Sequence, residues 1–190
     1  MTGINIAIVV GSNRRESINR KLALALAKLA EGKFAAHIVQ IDDLPLFNQD
    51  HESSLPASVQ RLKSEIERAD AVLFVTPEHN RSIPAVLKNA IDWASRPYGQ
   101  SVWTGKLVAI AGTSGGGAGA AMAQQHLRQV LGSFLGAHVM GGEAYISFKP
   151  ELIDDNSQIT VESIRQFLQA FIDRLAALAM QHASANARAA

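Results

Sequence analysis

Short runs of Ile, Val and Ala alternate along this chain with longer stretches whose apolar residues return every three or four positions. The runs are INIAIVV (4–10), AAHIVQI (35–41), DAVLFVT (70–76), KLVAIAGT (106–113) and a fifth within AHVMGGEAYI (137–146). Their length and β-branched content predict strands with both faces buried. Between them, Ile18, Leu22, Ala25, Leu26 and Leu29 share one helical face over 18–30, and Val59, Leu62, Ile66 and Ala69 share one over 57–69. Val86, Leu87, Ala90, Ile91 and Ala94 do the same over 84–95, with Pro84 in the first turn where its missing N–H does no harm. Further helices are expected near 118–134 and 160–180. Strictly alternating strands and helices with continuous apolar strands require a parallel sheet covered on both sides. Right-handed crossovers then give a three-layer, doubly wound α/β fold. Five strands suit the flavodoxin-like order 2-1-3-4-5, in which a ligand lies beyond the carboxyl ends of the strands.

A chain of 190 residues is long enough for one domain with a substantial core, expected over 1–182, with 183–190 fraying as a tail. A net charge of +1 carries no basic excess of the kind that nucleic-acid binding draws on. The absence of cysteine excludes disulfides, thiolate catalysis and Cys-ligated metals, and fits a reducing cytoplasm. No stretch reads as a signal peptide or a membrane span. A soluble cytoplasmic protein is expected, with neither membrane nor nucleic acid as partner and no metal.

The fold class directs attention to the loops after the first, third and fourth strands. The first, GSNRRESIN (11–19), lacks the second Gly and the Lys of a triphosphate loop and the further glycines of a dinucleotide turn. It holds donors instead: the hydroxyls of Ser12 and Ser17, the amide of Asn19, the guanidiniums of Arg14 and Arg15, and the free N–H groups of the next helix. Such a helix end favours an anion by about 0.3–1 kcal/mol, and each hydrogen bond to a charged phosphate adds roughly 1.5–3 kcal/mol. A helix N-cap explains Ser17 equally well, but not the other donors. The second loop, TPEHNRS (76–82), crowds Glu78, His79, Asn80 and Arg81 at the sheet edge; by composition alone it is also an ordinary solvated turn. His79 has no acid or serine partner by spacing, so a triad is not indicated. The third loop, GTSGGGAGAA (112–121), matches a dinucleotide fingerprint only loosely and sits on the wrong strand. Its glycines suit either close approach of the backbone to a flat ligand or tight helix packing.

Taken together, these loops resemble those of the NAD(P)H-dependent FMN reductase family. GSNRRESIN resembles its GSxRxxSxN phosphate loop, TPEHN with SIPAVLKNAIDW its second flavin loop and helix, and TSGGGAG with QHLRQVL its third, over about residues 4–145. LKNAIDW is the specific part, and the bacterial chromate/quinone reductase branch is the nearest match. The resemblance implies one non-covalent FMN per subunit. Ser12, Arg14, Ser17, Ile18 and Asn19 then fall at its phosphate, Pro77, Glu78, His79 and Asn80 along the isoalloxazine, and Ser114, Gly115 and Gly116 near the pyrimidine end. It also implies a homodimer or homotetramer. NADPH or NADH would supply hydride, and quinones, free flavin, azo dyes or chromate would take the electrons by ping-pong. No residue is assigned as catalytic, because hydride transfer to a flavin needs no side-chain acid or base. Arg15 and Arg81 are open to a nicotinamide phosphate or to water alike. Three positions depart from the family pattern: His79 stands at a usual Tyr, Arg81 at a usually uncharged residue and Ala85 at a common Gly. Two rivals remain at this stage. A flavodoxin-type electron carrier is disfavoured by the charge of +1, since such carriers dock through acidic surfaces. A phosphoester-binding module would use the first loop alone.

Overall fold

A computed structural model of the chain describes residues 3–189. The apolar runs form β1 (Asn5–Val10), β2 (Ala35–Val39), β3 (Ala71–Val75), β4 (Leu107–Ser114) and β5 (His138–Val139). All pair in parallel in the order β2-β1-β3-β4-β5, the expected flavodoxin-like topology. The period of two along each strand divides its side chains between two cores. Ile6, Ile8 and Val10 of β1 with Leu73 and Val75 of β3 face α1 (Ile18–Leu29) and α5 (Glu162–Ala189). Ala7 and Val9 with Val72 and Phe74 face α2 (Ala57–Arg68), α3 (Ala85–Ala94) and α4 (Ala121–Arg128). Three layers follow, because strands that are apolar on both faces have no side to give to water.

Three elements differ from expectation. The fifth strand is split. Its first part, β5, pairs with Leu107 and Val108, and a second part, β6 (Tyr145–Ser147), pairs with Gly112–Ser114 farther along β4. Between them the Arg128 guanidinium donates to the carbonyls of Met140 (2.9 Å) and Gly142, taking the place of a strand neighbour. The helix expected over 118–134 begins at Ala121 and widens after Arg128 into a π-helical turn, Gln129–Phe134, where the Leu135 N–H reaches back to Val130 O. The last helix continues to Ala189, so 183–189 is helical rather than irregular. Among the described residues, no helix is long and apolar enough to cross a membrane.

Candidate functional site

The register ends β1 and β3 at one level, Val10 beside Val75, while β4 runs three residues past their partner Ala111, and the loops of all three open onto the same edge. There they enclose a cavity of about 330 Å³. Ser12, Arg14, Ser17, Ile18, Asn19, Pro77, Glu78, His79, Ser114 and Gly115, all expected at a ligand, line this one cavity. Asn80 and Gly116 do not line it.

The first wall is the β1–α1 loop. Ser17 is the N-cap of α1: its hydroxyl oxygen accepts from the Arg20 N–H at 3.2 Å, and its own hydrogen remains available to a ligand. Asn19, expected as a side-chain donor, is committed elsewhere. Its Oδ1 accepts from the Thr113 N–H (3.0 Å) and its Nδ2 donates to Thr113 O (2.9 Å), with only 1% of the residue exposed. The reason lies in the sheet. Ala111 O still receives the Thr76 N–H, but β3 ends there, and the Asn19 amide supplies the next pair of partners that a longer strand would have given. Arg14 and Arg15 are exposed, and among the described residues neither is held by an ion pair.

The second wall is the loop after β3. His79 and Ser82 exchange backbone hydrogen bonds (3.0 and 2.9 Å) across Asn80 and Arg81, whose φ values are 50° and 64°. This is a tight turn with both central residues left-handed, a conformation Asn adopts readily and Arg does not. The turn presents His79, Asn80 and Arg81 to solvent. Glu78 turns the other way. Its Oε2 accepts from the N–H groups of Met122 (2.9 Å) and Ala123 (3.3 Å), and its Oε1 pairs with Arg81 at 3.1 Å. The N-cap of α4 is Ala120, at φ 63° and with no side chain to cap with; Glu78 supplies that cap from a different loop.

The third wall follows β4. The Gly116 carbonyl accepts from Ser114 Oγ (3.2 Å), Ser147 Oγ (3.2 Å) and the Gly119 N–H (3.3 Å), which fixes the loop from below. A Cβ placed on Gly115, Gly116 or Gly117 would meet no atom within 4 Å. These glycines therefore border open space instead of serving helix packing, and of the three Gly115 lines the cavity. Gly112 is the contrary case: its Cβ would stand 2.3 Å from Thr76 O, so here the glycine serves the close approach of two strands.

The helix that bears LKNAIDW does a different job. Asn89 accepts from the Phe47 N–H (2.8 Å) and donates to Pro45 O (2.9 Å), and Trp93 Nε1 donates to the same carbonyl at 2.7 Å. The motif pins the long connection after β2 beside the site and touches no part of the cavity.

The cavity thus brings cationic and hydroxyl donors beside a helix N-terminus together with an apolar lining of Pro77, Pro84 and Val86 and the backbone of Gly115. That donor set suits a monophosphate joined to a planar ring system. The sequence model of the NADPH-dependent FMN reductases matches residues 4–151. The chain belongs to this family. Among its relatives, a 2-hydroxy-1,4-benzoquinone reductase from a Burkholderia species is 51% identical over 175 residues, covering 92% of this chain and 95% of that protein. A quinone reductase of Pseudomonas putida is 51% identical, covering 90% and 92%. The solved flavoenzyme NAD(P)H:(acceptor) oxidoreductase FerB from Paracoccus denitrificans superposes with a TM-score of 0.90 at 46% identity, covering 94% of this chain and 98% of that one. As a family member the chain is an NAD(P)H-dependent oxidoreductase that uses FMN.

Proposed function

We propose that the protein is an NAD(P)H-dependent quinone reductase with one FMN per subunit at the convergence of the three loops. The reading is carried by one cavity that joins anion-binding donors to an apolar lining and the Gly115 backbone. Ser12, Arg14, the Ser17 hydroxyl and the backbone N–H groups of Ile18 and Asn19 hold the phosphate, helped by the partial positive charge of the α1 terminus. Pro77, His79 and the backbone of Glu78 line the ring on one side, and Ser114 and Gly115 on the other. When bound, FMN supplies the redox chemistry, accepting hydride from NAD(P)H and passing electrons to an acceptor that follows the nicotinamide into the same site, hence ping-pong kinetics. The chain's part is to place the ring, to aim N–H dipoles of the 114–117 loop at its pyrimidine edge, and to leave one face open. Quinones are the acceptors that the relatives' names support. Free flavin, azo dyes and chromate are proposed as further acceptors. His79, exposed on a solvent-facing turn, is placed to tune acceptor choice.

The protein is also proposed to work as a homodimer or homotetramer in the cytoplasm. Phe134 (86% exposed) borders a groove between α3 and α4 that also holds Val130 and Leu135, and Met122 on α4 is half exposed. Apolar exposure of this kind beside a site suits a second copy of the chain. The deciding experiment is anaerobic addition of NADPH or NADH to the purified yellow protein, followed by 1,4-benzoquinone. Bleaching within seconds and full recovery on quinone addition are expected. Colour that persists under both nicotinamides would indicate a flavodoxin-type carrier instead.

A further inference from the structure

The loop between β3 and α3 is laid along α4 at two points. At its start, Glu78 accepts from the N–H groups of Met122 and Ala123; at its end, Ser82 Oγ lies 2.8 Å from Nδ1 of His126. Glu78 and Ser82 stand four residues apart on the loop, and Met122 and His126 four apart on the helix. That helical spacing sets two positions one above the other on the same face. The helix thereby holds both ends of the segment that carries His79, Asn80 and Arg81.

That segment needs holding. Asn80 and Arg81 are left-handed, at φ 50° and 64°, and an arginine keeps such a backbone only where its surroundings impose it. The backbone hydrogen bonds exchanged by His79 and Ser82 close the turn but do not tie it to the rest of the chain. The Arg81–Glu78 pair does tie it, yet the Arg81 side chain is 76% exposed, and an ion pair so open to water holds little. The contact between Ser82 and His126 joins two half-buried residues and survives either ring tautomer. An unprotonated Nδ1 accepts from the hydroxyl, and a protonated one donates to its oxygen. His126 and Ser82 line no part of the flavin cavity, whereas His79 does. Ser82 gives and receives the hydrogen bonds of His79, so whatever fixes Ser82 fixes His79.

We propose that His126 is a positioning residue for the electron acceptor, holding through Ser82 the turn that sets His79 against the flavin cavity. The proposal rests on the quinone-reductase reading above. His126 itself touches neither flavin nor acceptor.

The test compares two variants of the FMN-loaded protein. His126→Phe keeps a ring without a hydrogen-bonding nitrogen, and His126→Asn keeps a polar atom at the place of Nδ1. The first readout is hydrogen exchange of the His79 and Ser82 amides. It is expected to quicken about three- to tenfold in His126→Phe, roughly the factor that one neutral hydrogen bond is worth, and to stay near wild type in His126→Asn. The second is the KM for 1,4-benzoquinone, expected to rise by a similar factor in His126→Phe and to recover in His126→Asn, with the change in KM rather than kcat and FMN affinity unaltered. Ser82→Ala combined with His126→Phe should be no worse than either alone, because both remove the same bond. The proposal is overturned if His126→Phe leaves exchange or KM at the wild-type value, if His126→Asn behaves like His126→Phe, or if the two losses add. A wild type that NAD(P)H does not reduce refutes the quinone-reductase reading instead, and the exchange rates still decide whether His126 holds the turn.

Discussion

Asn19 is the residue at which the two ways of building this site part company most sharply. As a phosphate ligand, its side chain would matter only when FMN is bound. As the tie between α1 and β4, it would matter in the flavin-free protein just as much. The geometry favours the tie: both ends of the amide are engaged with the main chain of Thr113, at 3.0 and 2.9 Å, in surroundings closed to water. Asn19→Ala therefore strands one buried N–H and one buried C=O. Each such group costs about 1–3 kcal/mol, so a combined loss of about 2–4 kcal/mol is expected after some relaxation. For a domain of this size that corresponds to a fall in Tm of roughly 4–16 °C. Asn19→Asp serves as the isosteric control. It keeps the acceptor for the Thr113 N–H but sets a carboxylate oxygen against Thr113 O, so it should destabilise at least as much. The assay is urea unfolding followed by far-UV circular dichroism, on flavin-free and FMN-saturated protein in parallel. The same loss is expected in both states, with any weakening of FMN binding additional to it. If the flavin-free protein keeps its stability to within about 0.5 kcal/mol, the range of an inconsequential substitution, while FMN affinity drops, then the tie is not what Asn19 contributes.

Arg14→Ala is expected to weaken FMN binding by roughly 1.5–3 kcal/mol through loss of one charge-assisted bond; an unchanged dissociation constant in a fluorescence titration would remove Arg14 from the phosphate site. Glu78→Ala should cost about 1–2 kcal/mol of stability, because α4 loses the side chain that caps its N-terminus, with Glu78→Gln recovering part of it in the same thermal melt. Gly112→Ala and Gly115→Ala form a contrasting pair. The first drives a Cβ to 2.3 Å from Thr76 O and should cost about 3 kcal/mol; the second meets nothing in the chain and should leave the fold intact while reducing FMN affinity. Lys63 lies 8% exposed with its ammonium on the carbonyls of Arg96 (2.6 Å) and Gln100 (2.7 Å), and burial, opposed in part by Glu67, holds its pKa below the ordinary lysine value. With the folded value below the unfolded one, the unfolded chain binds the extra proton between them. Stability from this group therefore rises with pH across the window that ends near about 10.4. Lys63→Met should lack that rise, so the wild-type unfolding free energy should gain on the variant's as pH increases toward that limit, as read by urea unfolding at several pH values.

The fold was legible because its signal is carried by elements that sit in a uniform environment. The runs of β1, β3 and β4 are apolar on both sides and each helix has one apolar face, so these three strands could be read without knowing their neighbours. The fifth strand was not legible as two pieces, since its interruption depends on a guanidinium arriving from α4 at Met140 and Gly142. The Gly141–Gly142 pair in that stretch was the available cue. The site was legible at the level of loops for the same reason as the fold: topology alone brings the ends of β1, β3 and β4 to one edge. It was less legible at the level of side chains, because a polar residue in a sequence shows what it can donate or accept and not to whom. Asn19, Glu78, Asn89 and Trp93 all stand in the segments that carry the family resemblance, and all four spend their polar groups on the protein.

That expenditure has a functional consequence. Three flexible loops would each have to be ordered when a cofactor arrives, at a cost in affinity. Here the first loop is fastened to the fourth strand by Asn19, the second to the fourth helix by Glu78, and the third to β6 by Ser147. Each fastening joins two different loops or strands at the same edge, so the cavity walls are held in relation to one another before any ligand is present. Tight retention of a non-covalent flavin then requires few direct contacts from side chains. The turn at His79–Ser82 shares in the second fastening, since Arg81 pairs with Glu78 at 3.1 Å and Ser82 Oγ lies 2.8 Å from His126 Nδ1 of α4, so His79 and Asn80 stand exposed on an anchored turn.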